Sequence, residues 1–308
     1  MQQIDSKNTS LIKVIIAFAI VYLVWGSTYF AVQAAERDFP PFILGALRFL
    51  VSGFLLMGWC IFKRYRLFDW KEMKVAFIVG NLLLFIGNGS IIWAEETLPS
   101  SLVAVLVSAA PLWFVLFDKR KWRVNFTNKF IITGVFTGFA GVILLFGEKV
   151  FYETSTAAGL IQVIALAAVL IGNISWSVGS LYSKYNSIGN TSVSAAWQMI
   201  FAGLTFFIVS FFTKEVPGFD FTGVHFRGWM SVIYLICFGS LAGYSAYIWL
   251  LQVRPATQVS TNAYVNPVVA VLLGVFFGGE TIDGLQIGGL AIILLSVFII
   301  NFEKYKSS

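Results

Sequence analysis

The sequence predicts an all-α integral membrane protein, with ten transmembrane helices arranged as two inverted five-helix repeats. Three observations carry that expectation. Of 308 residues, 58% are hydrophobic and 12% are charged, about half the ~25% charged share of a soluble domain. The apolar residues fall into runs long enough to span a bilayer, roughly 17–25 residues each. Finally, Trp93, Pro99 and Pro111 recur with unchanged spacing as Trp249, Pro255 and Pro267, a shift of 156 residues.

The runs lie at 11–33, 41–62, 73–93, 100–117, 127–146, 159–183, 192–213, 228–251, 256–278 and 284–302. Pro41, Ser100 and Thr127 or Asn128 are residues that suit helix starts. Val32-Gln33-Ala34 resembles a signal cleavage site, but the first run is too long for a signal peptide and is expected to remain as a span. With the N-terminus inside, 16 Lys and Arg lie on inner segments. Only Arg37, Lys149, Lys214 and Arg227 lie on outer ones. That imbalance supports both termini in the cytoplasm and an even number of spans. The net charge of +6 sits between the apolar runs, so it reads as a topology signal and not as a nucleic-acid surface.

The repeat extends beyond the proline stretch. Trp25 matches Trp176 at a shift of 151, the segment opening at Arg48 matches the one opening at Gln198 at 150, and Gly134-x-x-x-Gly138 matches Gly284-x-x-x-Gly288 at 150. The shift rises to 156 for spans 3–4 against 8–9, which a longer loop at 214–227 accounts for. The halves are then 11–147 and 158–302. Five is an odd number, so two copies of such a unit must insert in opposite directions. The geometry gives a pseudo-two-fold axis in the membrane plane and a site at mid-depth between the halves.

Trp25-Gly26-Ser27-Thr28, Pro40-Pro41 with Leu47-Arg48-Phe49, Asn262-Ala263-Tyr264-Val265-Asn266-Pro267 and Gly279-Glu280 together resemble the EamA-type members of the drug/metabolite transporter superfamily. The resemblance implies ten helices and a bacterial inner-membrane location. It also implies transport, often export, of amino acids or related small metabolites. Spans 1–4 and 6–9 would line a central cavity, with 5 and 10 to the side. In the first repeat the place of Gly279-Glu280 falls near Arg123-Val124, so a role of that glutamate would not be duplicated.

Arg48 is the sharpest candidate for contact with a solute. It stands seven residues into span 2, where a charge costs at least ~2.5 kcal/mol to insert. It is either a fork for a carboxylate or phosphate or a structural arginine held by neighbouring carbonyls. Its counterpart Gln198 is neutral. Trp25 with Tyr29, Trp176 and Tyr244 are aromatic residues suited to line a cavity, and the alternative for such rings is the interfacial belt. Asn88, Asn262 and Asn266 are amides at membrane depth, suited either to a polar notch or to interhelical bonds. Pro267, beside Asn266, frees a carbonyl in the preceding turn. Pro99, Pro111, Pro255 and Pro267 are the expected bending points.

Cys60 and Cys237 are expected as free, buried thiols, and no cluster suggests a metal or cofactor. The expected partners are a small-molecule solute and the lipid bilayer, with the chain a monomer or homodimer. The basic cluster Lys119–Arg123 would set topology and touch anionic lipid. Glu95 and Glu96 are placed at the outer end of span 3, in water or at a gate. Two other classes stand beside a carrier. A membrane-embedded enzyme would need convergent titratable groups, which the spans lack. A non-transporting sensor or structural protein would need long polar loops or a soluble domain.

Overall fold

The computed structural model describes residues 10–98, 100–153, 159–278 and 283–301, and contains helices and no strand among them. In chain order the long segments are α1 (Leu11–Glu36), α2 (Pro41–Phe62) and α3 (Trp70–Glu95), then α4 in two pieces, Ser100–Val107 and Ala110–Phe117. There follow α5 (Lys129–Glu153), α6 (Leu160–Asn186), α7 (Thr191–Phe212) and α8 (Phe226–Val253). Last come α9, again in two pieces (Ala256–Val259 and Asn262–Gly278), and α10 (Gly284–Asn301). Among the described residues eight helices are long and apolar enough to cross a bilayer, with α4 and α5 falling short by that measure. For α4 the reason is visible. It breaks after Val107, and after Phe117 the chain turns by 63° into the basic segment Lys119–Thr127.

The helix ends explain why the spans start where they do. Asp69 accepts from the N–H groups of Lys71 and Glu72 to cap α3, and Asn190 caps α7 through Ser192 and Val193. Asn128 Oδ1 accepts from Phe130 and Ile131 at the start of α5. Helix α2 opens on Pro41, which needs no partner for its nitrogen, and its next two N–H groups, Phe42 and Ile43, donate to Glu215 Oε2 at 3.0 Å each. Burial pushes the Glu215 carboxyl above its usual range, against the pull of those two donors. The counterpart helix α7 is clamped in the same way. Glu72 Oε2 accepts from Ile188 and Gly189, just ahead of it. Each of these helix starts is therefore held by a carboxylate from the other half of the chain.

Helices that correspond by the sequence repeat pack on one another with opposite chain direction. Between α2 and α7, Gly53 meets Ile200, Gly45 meets Phe206 and Gly203 meets Leu50. Between α5 and α10, Gly134 meets Ile300, Gly138 meets Ser296, Gly141 meets Ile293 and Gly289 meets Leu145. The glycine motif of α5 thus packs within the chain. On α10 the matching motif is Gly284-x-x-x-Gly288, but Gly284 faces open space and Gly288 meets only Leu144, so the close approach is made by Gly289.

Helix α3 widens to π-helical turns over Asn81–Asn88, and α8 does so over Leu235–Tyr244. The two segments begin 154 and end 156 residues apart, close to the 156 spacing of the proline stretch, so among the described residues the distortion occurs once in each half. Large apolar side chains such as Phe54, Phe62, Phe212 and Phe276 point outward, as a surface bathed in hydrocarbon requires. Cys60 is buried and free as expected. Cys237 is exposed, because it lies on the outward side of the α8 π-turns.

Substituting Gly289 by Leu is expected to separate α5 from α10, since even a Cβ would lie 2.8 Å from the Leu145 nitrogen and 2.9 Å from the Gly141 carbonyl oxygen. The cost should be about 1–3 kcal/mol, read as a lower melting temperature in detergent. Gly284→Ala, where nothing is met, should leave it unchanged.

Candidate functional site

The site is built on two tryptophans that cross between the halves. Trp25 of α1 lies on the π-turns of α8, where its Nε1 donates to the Gly239 carbonyl at 3.0 Å. Only glycine fits beneath it at position 243, where a Cβ would come within 2.5 Å of that nitrogen. Trp176 of α6 lies likewise on Gly87 in the π-turns of α3. The two rings meet edge to face with centroids 5.6 Å apart. Tyr247 completes the group, 5.0 Å from one ring and 5.3 Å from the other. Its hydroxyl accepts from Trp176 Nε1 at 2.9 Å and bonds Ser180 at 2.7 Å. The wide turns therefore do structural work, because they make room for a large ring from the opposite half.

On this aromatic floor stands a cavity of about 1070 Å³, counting its open mouth. Its walls come from α1, α2, α3, α4, α6, α8 and α9; among the described residues α5 and α10 take no part, and neither does α7, which was expected at the wall. It reaches the end of the bundle where α1 passes into α2, at Val32 and at Glu95, the last residue of α3. Toward the other end it is shut by the aromatic group and by Tyr22, whose hydroxyl bonds Thr261 at 2.6 Å.

Arg48 lines this cavity although only 6% of its surface is exposed. Its Nε donates to Ser240 at 2.9 Å, and the guanidinium carbon lies 4.9 Å from the centroid of the Phe49 ring. Among the described residues no carboxylate forms an ion pair with it. A cation at this depth with one hydroxyl and one ring for company retains donors for a guest, and a carboxylate or phosphate oxygen suits them best.

The broken helices supply the remaining polarity. Pro111 cannot donate to the Val107 carbonyl, and Asn173 takes over, its Nδ2 donating to Leu106 at 2.7 Å and to Val107 at 3.2 Å. At the repeat spacing of 151 the counterpart of Asn173 is Tyr22, which holds the break in α9 through Thr261. Pro267 in turn leaves the Ala263 carbonyl without its helical donor, beside Asn262 and Asn266, and all three residues line the cavity. Pro255 precedes the first piece of α9. Pro99 lies outside the described residues.

Of the residues expected at a solute site, Trp25, Arg48, Asn88, Trp176, Tyr244, Asn262 and Asn266 are brought together around one space. Gln198 is not among them. It is fully buried in the seam between α7 and α8, where Oε1 accepts from the Tyr244 hydroxyl at 2.6 Å and Nε2 donates to Ser194. Its backbone abuts Gly80 of α3, a contact that fixes which way α7 faces. The Tyr29 side chain lies outside the described residues. Asn173 and Glu95 also line the space. Asn173 was legible as a neighbour of Trp176 one helical turn away, on the same face.

Comparison with known proteins agrees with this architecture. The chain matches the EamA-like transporter family over residues 12–147 and 163–302. It is 34% identical over 292 residues to the uncharacterized inner membrane transporter YedA of Escherichia coli K12, covering 94% of this chain and 90% of the relative. The uncharacterized transporter YoaV of Bacillus subtilis is 22% identical, with 95% and 98% covered. A solved crystal structure shares the fold with a TM-score of 0.76 at 17% identity, covering 96% of this chain and 99% of the other. With a family match in each half and an all-helical bundle around one cavity, this chain belongs to the EamA-like transporter family and is a multi-pass membrane protein.

Proposed function

We propose that the chain is a ten-span secondary carrier that moves small organic solutes bearing a carboxylate or phosphate, such as amino acids and related amphipathic metabolites, by alternating access. Export across a bacterial inner membrane, with both termini cytoplasmic, is the direction favoured here. The observation that carries this reading is Arg48, a cation without an ion-pair partner among the described residues, set in a cavity walled by both halves. Support for two inverted repeats, 11–147 and 158–302, comes from the opposite directions of α2 against α7 and α5 against α10. The duplicated π-turns point the same way. With α4 and α5 counted as spans, the charge imbalance puts the cavity mouth outside.

A ligand-dependent melting screen of the purified protein against amino acids, organic anions and organic cations tests this. Solutes carrying an oxyanion should stabilise the native chain. Arg48→Gln should weaken that binding by about 10–100-fold, as loss of a hydrogen bond worth ~1.5–3 kcal/mol to a charged group implies. Equal stabilisation of both variants, or a preference for cations, would refute the assignment.

Pro111 and Pro267 act in this scheme as the bending points of α4 and α9, each beside the cavity and each with its freed carbonyl at the wall. Pro111→Ala and Pro267→Ala are expected to slow solute flux into proteoliposomes several-fold while insertion and melting temperature hold. Unchanged flux in both would remove the hinge role.

A further inference from the structure

At the end of the bundle away from the cavity mouth, the last residues of α6 are strapped to their neighbours. Lys184 Nζ donates to the carbonyls of Leu251 and Arg254, at 2.5 and 2.7 Å. These belong to the end of α8, where helical carbonyls have no partner in their own helix and a cation is favoured. Gln252 Nε2 donates back to the Ser183 carbonyl at 3.3 Å, and the Tyr185 hydroxyl donates to Asp118 just past α4 at 2.7 Å. Trp176, Ser180 and Lys184 follow one another at intervals of four, so a single face of α6 runs from the cavity floor to this strap.

The same face exists on α1. At the repeat spacing of 151, Trp25, Tyr29 and Gln33 take the places of Trp176, Ser180 and Lys184. At the spacing of 156, Glu95 and Leu98 at the end of α3 take the places of Leu251 and Arg254. Here, among the described residues, no hydrogen bond joins the corresponding ends. Gln33 is exposed, and Val32 and Glu95 line the open mouth.

We infer that Lys184 is the latch that holds one end of the solute path shut, and that Gln33 is its released counterpart at the other end. The inference rests on the alternating-access reading given above. When the mouth closes, Gln33 comes onto the carbonyls at the end of α3 and Lys184 leaves those at the end of α8. The two latches differ in charge, one a lysine and the other a neutral amide, so the two closed ends are not equally strong. The lysine-held end is the more firmly shut, and the chain rests with its mouth open at the other.

The test needs no knowledge of the solute. In a chain carrying Cys60→Ser and Cys237→Ser, Ile91→Cys places one thiol on the cavity wall. Its labelling by a membrane-impermeant maleimide is timed from each face of oriented vesicles. Lys184→Met should raise labelling from the latched face by roughly tenfold, the loss expected for a charged hydrogen bond. Gln33→Lys should slow labelling from the mouth face, because the added cation strengthens that closure. If Lys184→Met lowers the melting temperature, the Gln33→Lys result decides alone. Rates unchanged from both faces in a stably folded variant would overturn the latch. Failure of the carrier reading looks different: the Ile91→Cys parent and every variant would label from the mouth face only.

Discussion

A peptide group exposed to hydrocarbon without a hydrogen-bond partner costs several kcal/mol, and the architecture of this protein follows from that constraint. Two helices are broken inside the bundle and two are distorted, and several of these places are met by a side chain from the other half of the chain. Asn173 bridges the carbonyls of Leu106 and Val107 beside Pro111. Tyr22 reaches Thr261 at the break in α9. Trp25 meets the Gly239 carbonyl in the distorted stretch of α8. Irregular backbone is tolerated because it faces protein or a polar cavity, and the partners that satisfy it also tie the halves together.

The two halves share a plan and differ in their polar chemistry. The first carries Arg48 where the second carries Gln198. The arginine faces the cavity with a hydroxyl and a ring as neighbours, while the glutamine is sealed in a seam with Tyr244 and Ser194. In the first half the freed Val107 carbonyl is met by Asn173, whereas in the second the freed Ala263 carbonyl stands beside Asn262 and Asn266 at the wall. One pocket thus carries a guanidinium from the first half and the side-chain amides of Asn262 and Asn266 from the second.

The repeat and the helical runs could be read from spacing, whereas the cavity candidates came from polar and aromatic side chains at membrane depth and from the family resemblance. Trp25 with Trp176, and the paired prolines, recur at fixed offsets, and a fixed offset reports depth along a helix faithfully. It does not report which side of the helix faces the cavity. Gln198 is therefore at the right depth and the wrong azimuth, because its helix is turned by the close contact of its backbone with Gly80. The same limit explains Cys237, placed inside a span but turned outward. The π-turns left no local pattern to find, since their extra width is set by the tryptophan that lies on each of them. Nor could Gly284-x-x-x-Gly288 be told from the neighbouring Gly289, because register between packed helices is a property of the pair.

The account depends on two five-helix units threading the bilayer in opposite senses around one shared space. Single cysteines at Arg66 and Thr222, in the loops after α2 and α7 and in an otherwise cysteine-free chain, measure this directly through labelling by an impermeant maleimide on intact cells. The expected result is labelling at Thr222 and protection at Arg66 until the membrane is opened. Labelling of both, or of neither, from outside would place corresponding loops on the same face and contradict the account.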